Sequence, residues 1–360
     1  MIDCLTGLRA YLIGGVLLHH MLCVDTDKLS YGMGLGRHVN SALAQLLAKY
    51  AAMGVDIFFI LSGFIIAYRF RDELRRRFTW LALRSYLLRR LARIWPVYAL
   101  SLLALLAIHA AGWADNQLTS YAALPSHFML IYAWHSNGES WNPPGWSVSA
   151  EFFCYLLFPL MALLYRPGKF SCLLCMGLLL AYFSTDPQWS ILGSGALARA
   201  ASEFFFGFLL YDAYTRITIR HGDMLGIAAG LMFLLTAATV HERSVLLVLC
   251  DLCLAAALLA LTSPGPLLRA VFANKLAMYA GTISYSIYAM HYPVIRLFNL
   301  YRDELQHFAM VQLGGSQFAI WAVLLGVATS VLLVAALVHV LVERPMIVLA
   351  ARHARMEESP

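Results

Sequence analysis

The sequence predicts an all-α protein: a polytopic transmembrane helix bundle of about ten spans, with both termini cytoplasmic. Three observations lead there. Of 360 residues, 61% are hydrophobic and 13% charged, against roughly 25% charged in a soluble domain, and the mean hydropathy is +0.70. Apolar runs long enough to cross a bilayer recur along the whole chain. Lysine and arginine crowd into alternate connections, as the positive-inside rule requires.

The expected spans lie near 8–24, 46–68, 92–113, 147–165, 171–187, 197–214, 223–240, 244–262, 277–298 and 317–342. Most of the 26 Lys and Arg fall on the side of the N-terminus, above all in the run from Arg69 to Arg93. An even span count returns the C-terminus to that side. The net charge of +6 is therefore a topology signal, and nucleic acid is not an expected partner. The pieces left between spans are short, so any site has to be built by the bundle itself. The expected division is a membrane domain over 1–345 and a short cytoplasmic tail over 346–360. The first apolar run contains Arg9 and has no small-residue cleavage site, so it reads as a retained helix. Seven cysteines are present. Cys172-x-x-Cys175 and Cys250-x-x-Cys253 lie within apolar helical stretches and lack the turn of a zinc knuckle. They read as small packing residues, and no metal is expected.

In the first span, Arg9 and His20 are eleven residues apart. That separation is about three turns, so both fall on one face, roughly 16 Å apart along the axis. His19 points about 100° away. A charge at bilayer depth costs about 2.5–3.5 kcal/mol, which turns such a face inward and marks it as a candidate working surface. A snorkelling arginine above two hydrogen-bonded histidines has the same pattern.

The second span carries Asp56 near its start and Ser62-Gly63 deeper. The small pair suits close helix contact, while Asp56 can pair with an arginine or orient His20. Entering the third span, Arg90 and Arg93 share a face. Guanidinium forks suit phosphates, and equally suit anionic lipid headgroups. Trp141-Asn-Pro-Pro-Gly-Trp146 is a rigid turn feeding a helix with Glu151 one turn in. That carboxylate is a candidate base, a candidate for orienting one, or a holder of the loop. Arg199 and Glu203 are spaced for an internal ion pair, and Asp251 stands alone without an assignable role. The ninth span presents Ser284, Ser286, Tyr288 and His291, which either line a polar cavity for a sugar or satisfy one another.

In chain order, Leu5-Thr-Gly-Leu-Arg-Ala10 with His20, Gly54-Val-Asp-Ile-Phe-Phe-Ile-Leu-Ser-Gly-Phe64, Arg90-Leu-Ala-Arg93, Trp146-Ser-Val-Ser-Ala-Glu151, Ile283-Ser-Tyr-Ser-Ile-Tyr-Ala-Met-His-Tyr-Pro293 and Val342-Glu-Arg-Pro345 resemble the motifs of the acyltransferase-3 family of bacterial integral-membrane acyltransferases. The resemblance covers nearly the whole chain. It implies a multi-pass protein of the bacterial inner membrane that uses cytoplasmic acyl-CoA, most simply acetyl-CoA, to acylate a carbohydrate hydroxyl. It implies His20 as the catalytic candidate, Arg9 and Glu151 as essential-site residues, and Arg90 and Arg93 as contacts to the CoA phosphates; read as chemistry, Glu151 or Asp56 would orient His20, and Arg9 would hold the donor. Trp146, Ser284, Tyr288 and His291 are the matching candidates for the acceptor. No permanently bound cofactor is implied; the expected partners are acyl-CoA, the glycan, the bilayer and polysaccharide-synthesis machinery. Two departures stand out: Thr6 where the family has Asp, and Val148-Ser-Ala-Glu151 where it has Leu-Ser-Val-Glu.

Acyl transfer to a hydroxyl needs a base, and a histidine suits that task near neutral pH. An arginine can hold the donor or the developing oxyanion. His20 is therefore expected to act as general base or as a transient acyl carrier. The rival reading is a transporter or flippase, since intramembrane charges also mark solute paths. Such proteins commonly show symmetry-related halves, and no repeat is visible here.

Overall fold

The computed structural model describes residues 2–22, 53–76, 78–112, 120–135, 140–165, 192–239, 246–308, 311 and 317–358. Regular structure within them is helical throughout. The expected span at 171–187 and Cys172 and Cys175 lie outside the described residues, as does the side chain of Asp251.

The main helices are α1 (Ile2–Leu22), α2 (Gly54–Arg76), α3 (Trp80–Ala110), α4 (Leu124–Phe128), α5 (Trp146–Leu164), α6 (Gly193–Tyr214) and α7 (Gly222–Thr239). They continue as α8 (Leu246–Thr262), α9 (Pro266–Phe272), α10 (Lys275–Thr282), α11 (Ser284–Leu300), α12 (Arg302–His307), α13 (Gln317–Val338) and α14 (Arg344–Glu358). A π-helical turn, His339–Glu343, joins the last two.

Among the described residues, three helices are long and apolar enough to cross a membrane: Trp80–Ala110, Pro143–Leu164 and Trp321–Ala354. The pair Leu252–Thr262 and Pro266–Phe272 qualifies jointly, bent by 99° at Ser263-Pro-Gly-Pro266. Arg9, His19 and His20 dilute the apolar character of α1, and Asp56, Arg69 and Arg71 that of α2. The apolar run at 277–298 is not one helix. It divides at Ile283 into α10 and α11. The expected tail, 346–360, falls largely within α14, which begins at Arg344 and packs on α3.

Local chemistry sets several boundaries. Thr79 caps α3 by accepting the Ala82 N–H at 3.1 Å. At 31 residues, α3 is about 46 Å long, so its arginine-rich first turns overhang a hydrocarbon core of about 30 Å. A residue on α7 caps α9: the Asp223 carboxylate accepts the N–H groups of Leu267 and Leu268, both at 3.0 Å. Asn274 caps α10 through the Ala277 N–H.

Close packing centres on α2 and α6. A Cβ on Gly63 would collide with the Phe204 carbonyl, and one on Gly207 with the Ile60 carbonyl. Small residues thus let the two backbones meet at two points. The same device seats α1: Gly7 lies against the Phe272 carbonyl and Gly281 against that of Thr6. Tyr86, Phe158, Phe204 and Phe208 fill the space between α3, α5 and α6. Leu325, Leu333 and Leu337 on α13 are mostly exposed, as expected of surface facing lipid.

Candidate active site

A cavity of about 180 Å³ opens among α1, α2, α3, α5 and α11. That is room for on the order of ten water-sized groups, enough for the reactive end of a long donor. Arg9, Arg69, Arg90 and Arg93 bring four cations to its wall, and Ser62, Glu151, Ser284 and Tyr288 bring the polar oxygens.

Five helices supply them: α1 gives Arg9, α2 Ser62 and Arg69, α3 Arg90 and Arg93, α5 Glu151, and α11 Ser284 and Tyr288. Arg9 projects from α1 within electrostatic reach of Arg93, Glu343 and Glu151. Arg90 lies over the Phe70 ring at 4.9 Å, with its Nε buried and unpartnered. Neighbouring Arg89 pairs with Glu73 at 3.6 Å. Glu151 accepts a 2.7 Å hydrogen bond from the Ser62 hydroxyl, which ties α5 to α2. Ser284, 1% exposed, has an unpartnered hydroxyl.

The turn before α5 is stapled to α3. His127 bridges the Tyr98 hydroxyl at 3.1 Å and the Trp141 N–H at 3.2 Å, and its ring stacks on Tyr132 at 3.8 Å. The Asn142 amide donates to Ser101 at 3.1 Å. The segment leading to Glu151 is therefore held before the helix begins.

His20 lies apart from the cavity wall. Its Nδ1 donates to the Val16 carbonyl at 2.8 Å, and its ring is 4.8 Å from that of His291. His19 meets His20 edge-on at 5.3 Å. His291, 1% exposed, donates from Nδ1 to the Tyr288 carbonyl, and its Nε2 has no partner. Tyr288 connects the two compartments. Its hydroxyl meets Ser147 at 2.7 Å and donates to the Pro144 carbonyl, while its ring is 5.5 Å from His291.

The structure thus gathers Arg9, Arg90, Arg93, Glu151, Ser284 and Tyr288 around one cavity and sets His20 beside His291. Asp56 takes the arginine partner that the sequence allowed. Arg199 holds it from two nitrogens at 2.5 and 2.7 Å, with both residues buried. Glu203 is a more distant partner of Arg199 at 3.9 Å. Trp146 belongs to this cluster: Arg199 lies 5.2 Å from its ring, and the residue is 7% exposed. Neither Asp56 nor Trp146 lines the cavity.

Sequence reasoning missed Glu343. Buried in the π-helical turn, it accepts from Ser286 at 2.6 Å and from His339 Nδ1 at 2.9 Å. A carboxylate closing an apolar run looks like a boundary residue, and only the π-turn exposes its inward aim. Among the described residues no group of three or more His, Cys, Asp or Glu side chains is placed to hold a metal. The Cys250 thiol donates to Thr236 at 3.3 Å.

The model of the acyltransferase domain family Acyl_transf_3 matches residues 2–339. The chain is similar to the peptidoglycan O-acetyltransferase OatA of Listeria monocytogenes: 26% identical over 69% of this chain and 46% of that protein. Similarity to the acyltransferase MdmB of Streptomyces mycarofaciens is 28% identity over 36% of this chain and 33% of that protein. The chain thus spans less than half the length of these relatives. No solved structure matches.

Proposed function

The chain belongs to the acyltransferase-3 family, and from that premise we propose that it transfers an acetyl group from cytoplasmic acetyl-CoA to a hydroxyl of a cell-surface or exported glycan. In this reading it is a ten-span protein of the bacterial inner membrane with both termini in the cytoplasm. The observation that carries the proposal is the meeting of Arg9, Arg90 and Arg93 with Glu151 at one cavity. Similarity to an O-acetyltransferase of peptidoglycan supports a glycan as the acceptor.

Arg90 and Arg93 lie at the inner end of the arginine-rich part of α3, where their forks match the phosphates of CoA. The cavity has room for the thioester end of the donor. Arg9, deeper in, faces the carbonyl oxygen that becomes an oxyanion. Glu151, fixed by Ser62, sets the direction of that arginine.

The base is His20. A carbonyl can only accept, so the bond to Val16 puts the proton on Nδ1 and leaves Nε2 with its lone pair. Nε2 takes the proton of the acceptor hydroxyl as its oxygen attacks the acyl carbon. The carbon–sulfur bond then breaks, and the CoA thiolate takes the proton back. The products are an ester and free CoA. Tyr288 separates the cavity from the imidazoles, so its links to Ser147 and Pro144 open during transfer. Ser284, on the cavity side, is then within the path of the acceptor.

Inside-out membrane vesicles supplied with [14C]acetyl-CoA test this, because they carry the native acceptor. Wild-type protein should place base-labile label in the glycan fraction, and inserted His20→Ala should not. Label that is equal in the two would overturn the assignment.

A further inference from the structure

We propose that His291 is a positioning residue for His20: its Nε2 receives the N–H that His20 acquires on deprotonating the acceptor. This rests on the reading of His20 as the base.

The argument starts from tautomers. Both rings donate from Nδ1 to a backbone carbonyl of their own helix, His20 to Val16 and His291 to Tyr288. Both Nε2 atoms are therefore acceptors at rest. Two acceptors cannot bond to each other, which accounts for the unpartnered Nε2 of His291 beside a ring only 4.8 Å away. A buried polar atom without a partner calls for an explanation.

Protonation of His20 supplies one. Its Nε2 becomes a donor, and the adjacent ring of His291, 1% exposed, carries a waiting lone pair. The bond is charge-assisted and protected from water, which makes it stronger than a neutral one. Because both Nδ1 anchors remain in place, the rings need only tilt. As the hydroxyl oxygen becomes an ester oxygen it loses basicity, and the proton rests between the two imidazoles until the thiolate collects it. No proton passes to His291 itself, so atoms and charge balance as before.

The experiment uses two replacements that separate the functions of the two nitrogens. His291→Asn keeps an N–H near the Nδ1 position and removes the Nε2 acceptor. His291→Gln sets an amide oxygen near Nε2. In inside-out vesicles with [14C]acetyl-CoA, His291→Asn should lower kcat roughly 10- to 100-fold, the worth of a hydrogen bond to a charged group. Its KM for acetyl-CoA should stay within about twofold, because the donor cavity is untouched. His291→Gln should recover about tenfold of that loss. In the background of His20→Ala, His291→Asn should add nothing, since it acts through His20.

Equal loss in the Asn and Gln variants, or full activity in both, would overturn the proposal. So would a further loss in the double variant. Should His291→Asn fail to insert, His291→Met, of similar bulk and without a nitrogen, replaces it with the same expectations. An active His20→Ala would overturn the base assignment itself. An inactive His20→Ala beside a fully active His291→Asn overturns only the role of His291.

Discussion

Replacing Asp56 by Leu should destabilise the bundle by about 3 kcal/mol. Asp56 is 7% exposed and Arg199 3%, and the guanidinium holds the carboxylate from two nitrogens. Removing one member of such a pair costs about 3–5 kcal/mol, because the other is left charged and buried. Glu203, at 3.9 Å, remains to compensate part of the charge, which places the loss near the lower limit. For a chain of 360 residues unfolding with about 2.1 cal/mol/K per residue, this lowers Tm by about 4 °C. Tryptophan fluorescence during heating in detergent reads the change. The second arm is Asp56→Leu with Arg199→Met, which removes both charges and should return Tm to within about 1 °C of wild type or above. A single variant with unchanged Tm, or a double variant less stable than the single, would refute the assignment of Asp56 as a structural counter-ion. A fall in transfer by Asp56→Leu that persisted in the thermally restored double variant would instead return Asp56 to the catalytic group.

Other outcomes follow from the same geometry. His20→Ala should lose about 10²–10⁴-fold in transfer rate, the usual worth of a general base, while His19→Ala stays within a few-fold; the vesicle assay reads both. Arg90→Lys and Arg93→Lys should each bind CoA more weakly in detergent, and the Ala variants more weakly still, since Lys keeps the charge but loses the fork; equal affinities would make these arginines lipid anchors. Gly207→Val drives a side chain into the Ile60 carbonyl and should cost about 1–3 kcal/mol or more, whereas Gly230→Ala, which meets open space, should leave Tm unchanged. Cysteine labelling should place Arg75→Cys and Ser120→Cys on opposite sides of the membrane; labelling from one side only would sink the ten-span arrangement.

The all-helical architecture was legible because apolar length and arginine density are local properties. The division of 277–298 was not, because Thr282 and Ser284 are ordinary residues for a membrane helix. The break depends on what α10 and α11 each pack against. Site residues divide in the same way. Spacing put Arg9 and His20 on one face of α1, but the partner of each lies far along the chain. His291, beside His20, is on α11, and Glu151, within electrostatic reach of Arg9, is on α5; Asp56, likewise, meets an arginine on α6. Choosing between Arg199 and His20 as the neighbour of Asp56 required knowing that Gly63 and Gly207 draw α2 and α6 together. The place of Tyr288 between the cavity and the imidazoles was equally out of reach, since the five hydroxyls of α11 do not say which of them faces both.

The glycine crossing of α2 with α6 also governs how the protein answers its surroundings. Each helix has a carbonyl lodged where the other lacks a side chain, so a slide of one residue, about 1.5 Å, would drive a neighbouring Cβ into backbone. The two helices are locked in register like meshed teeth. In the proposed ten-span arrangement both helices cross the bilayer; when its thickness changes, a spanning element can tilt or kink, and these two must lean together as a single rod. Lipid composition therefore reaches the arginine-lined cavity as rotation of one wall, while the spacing of Ser62 from the α6 backbone stays constant.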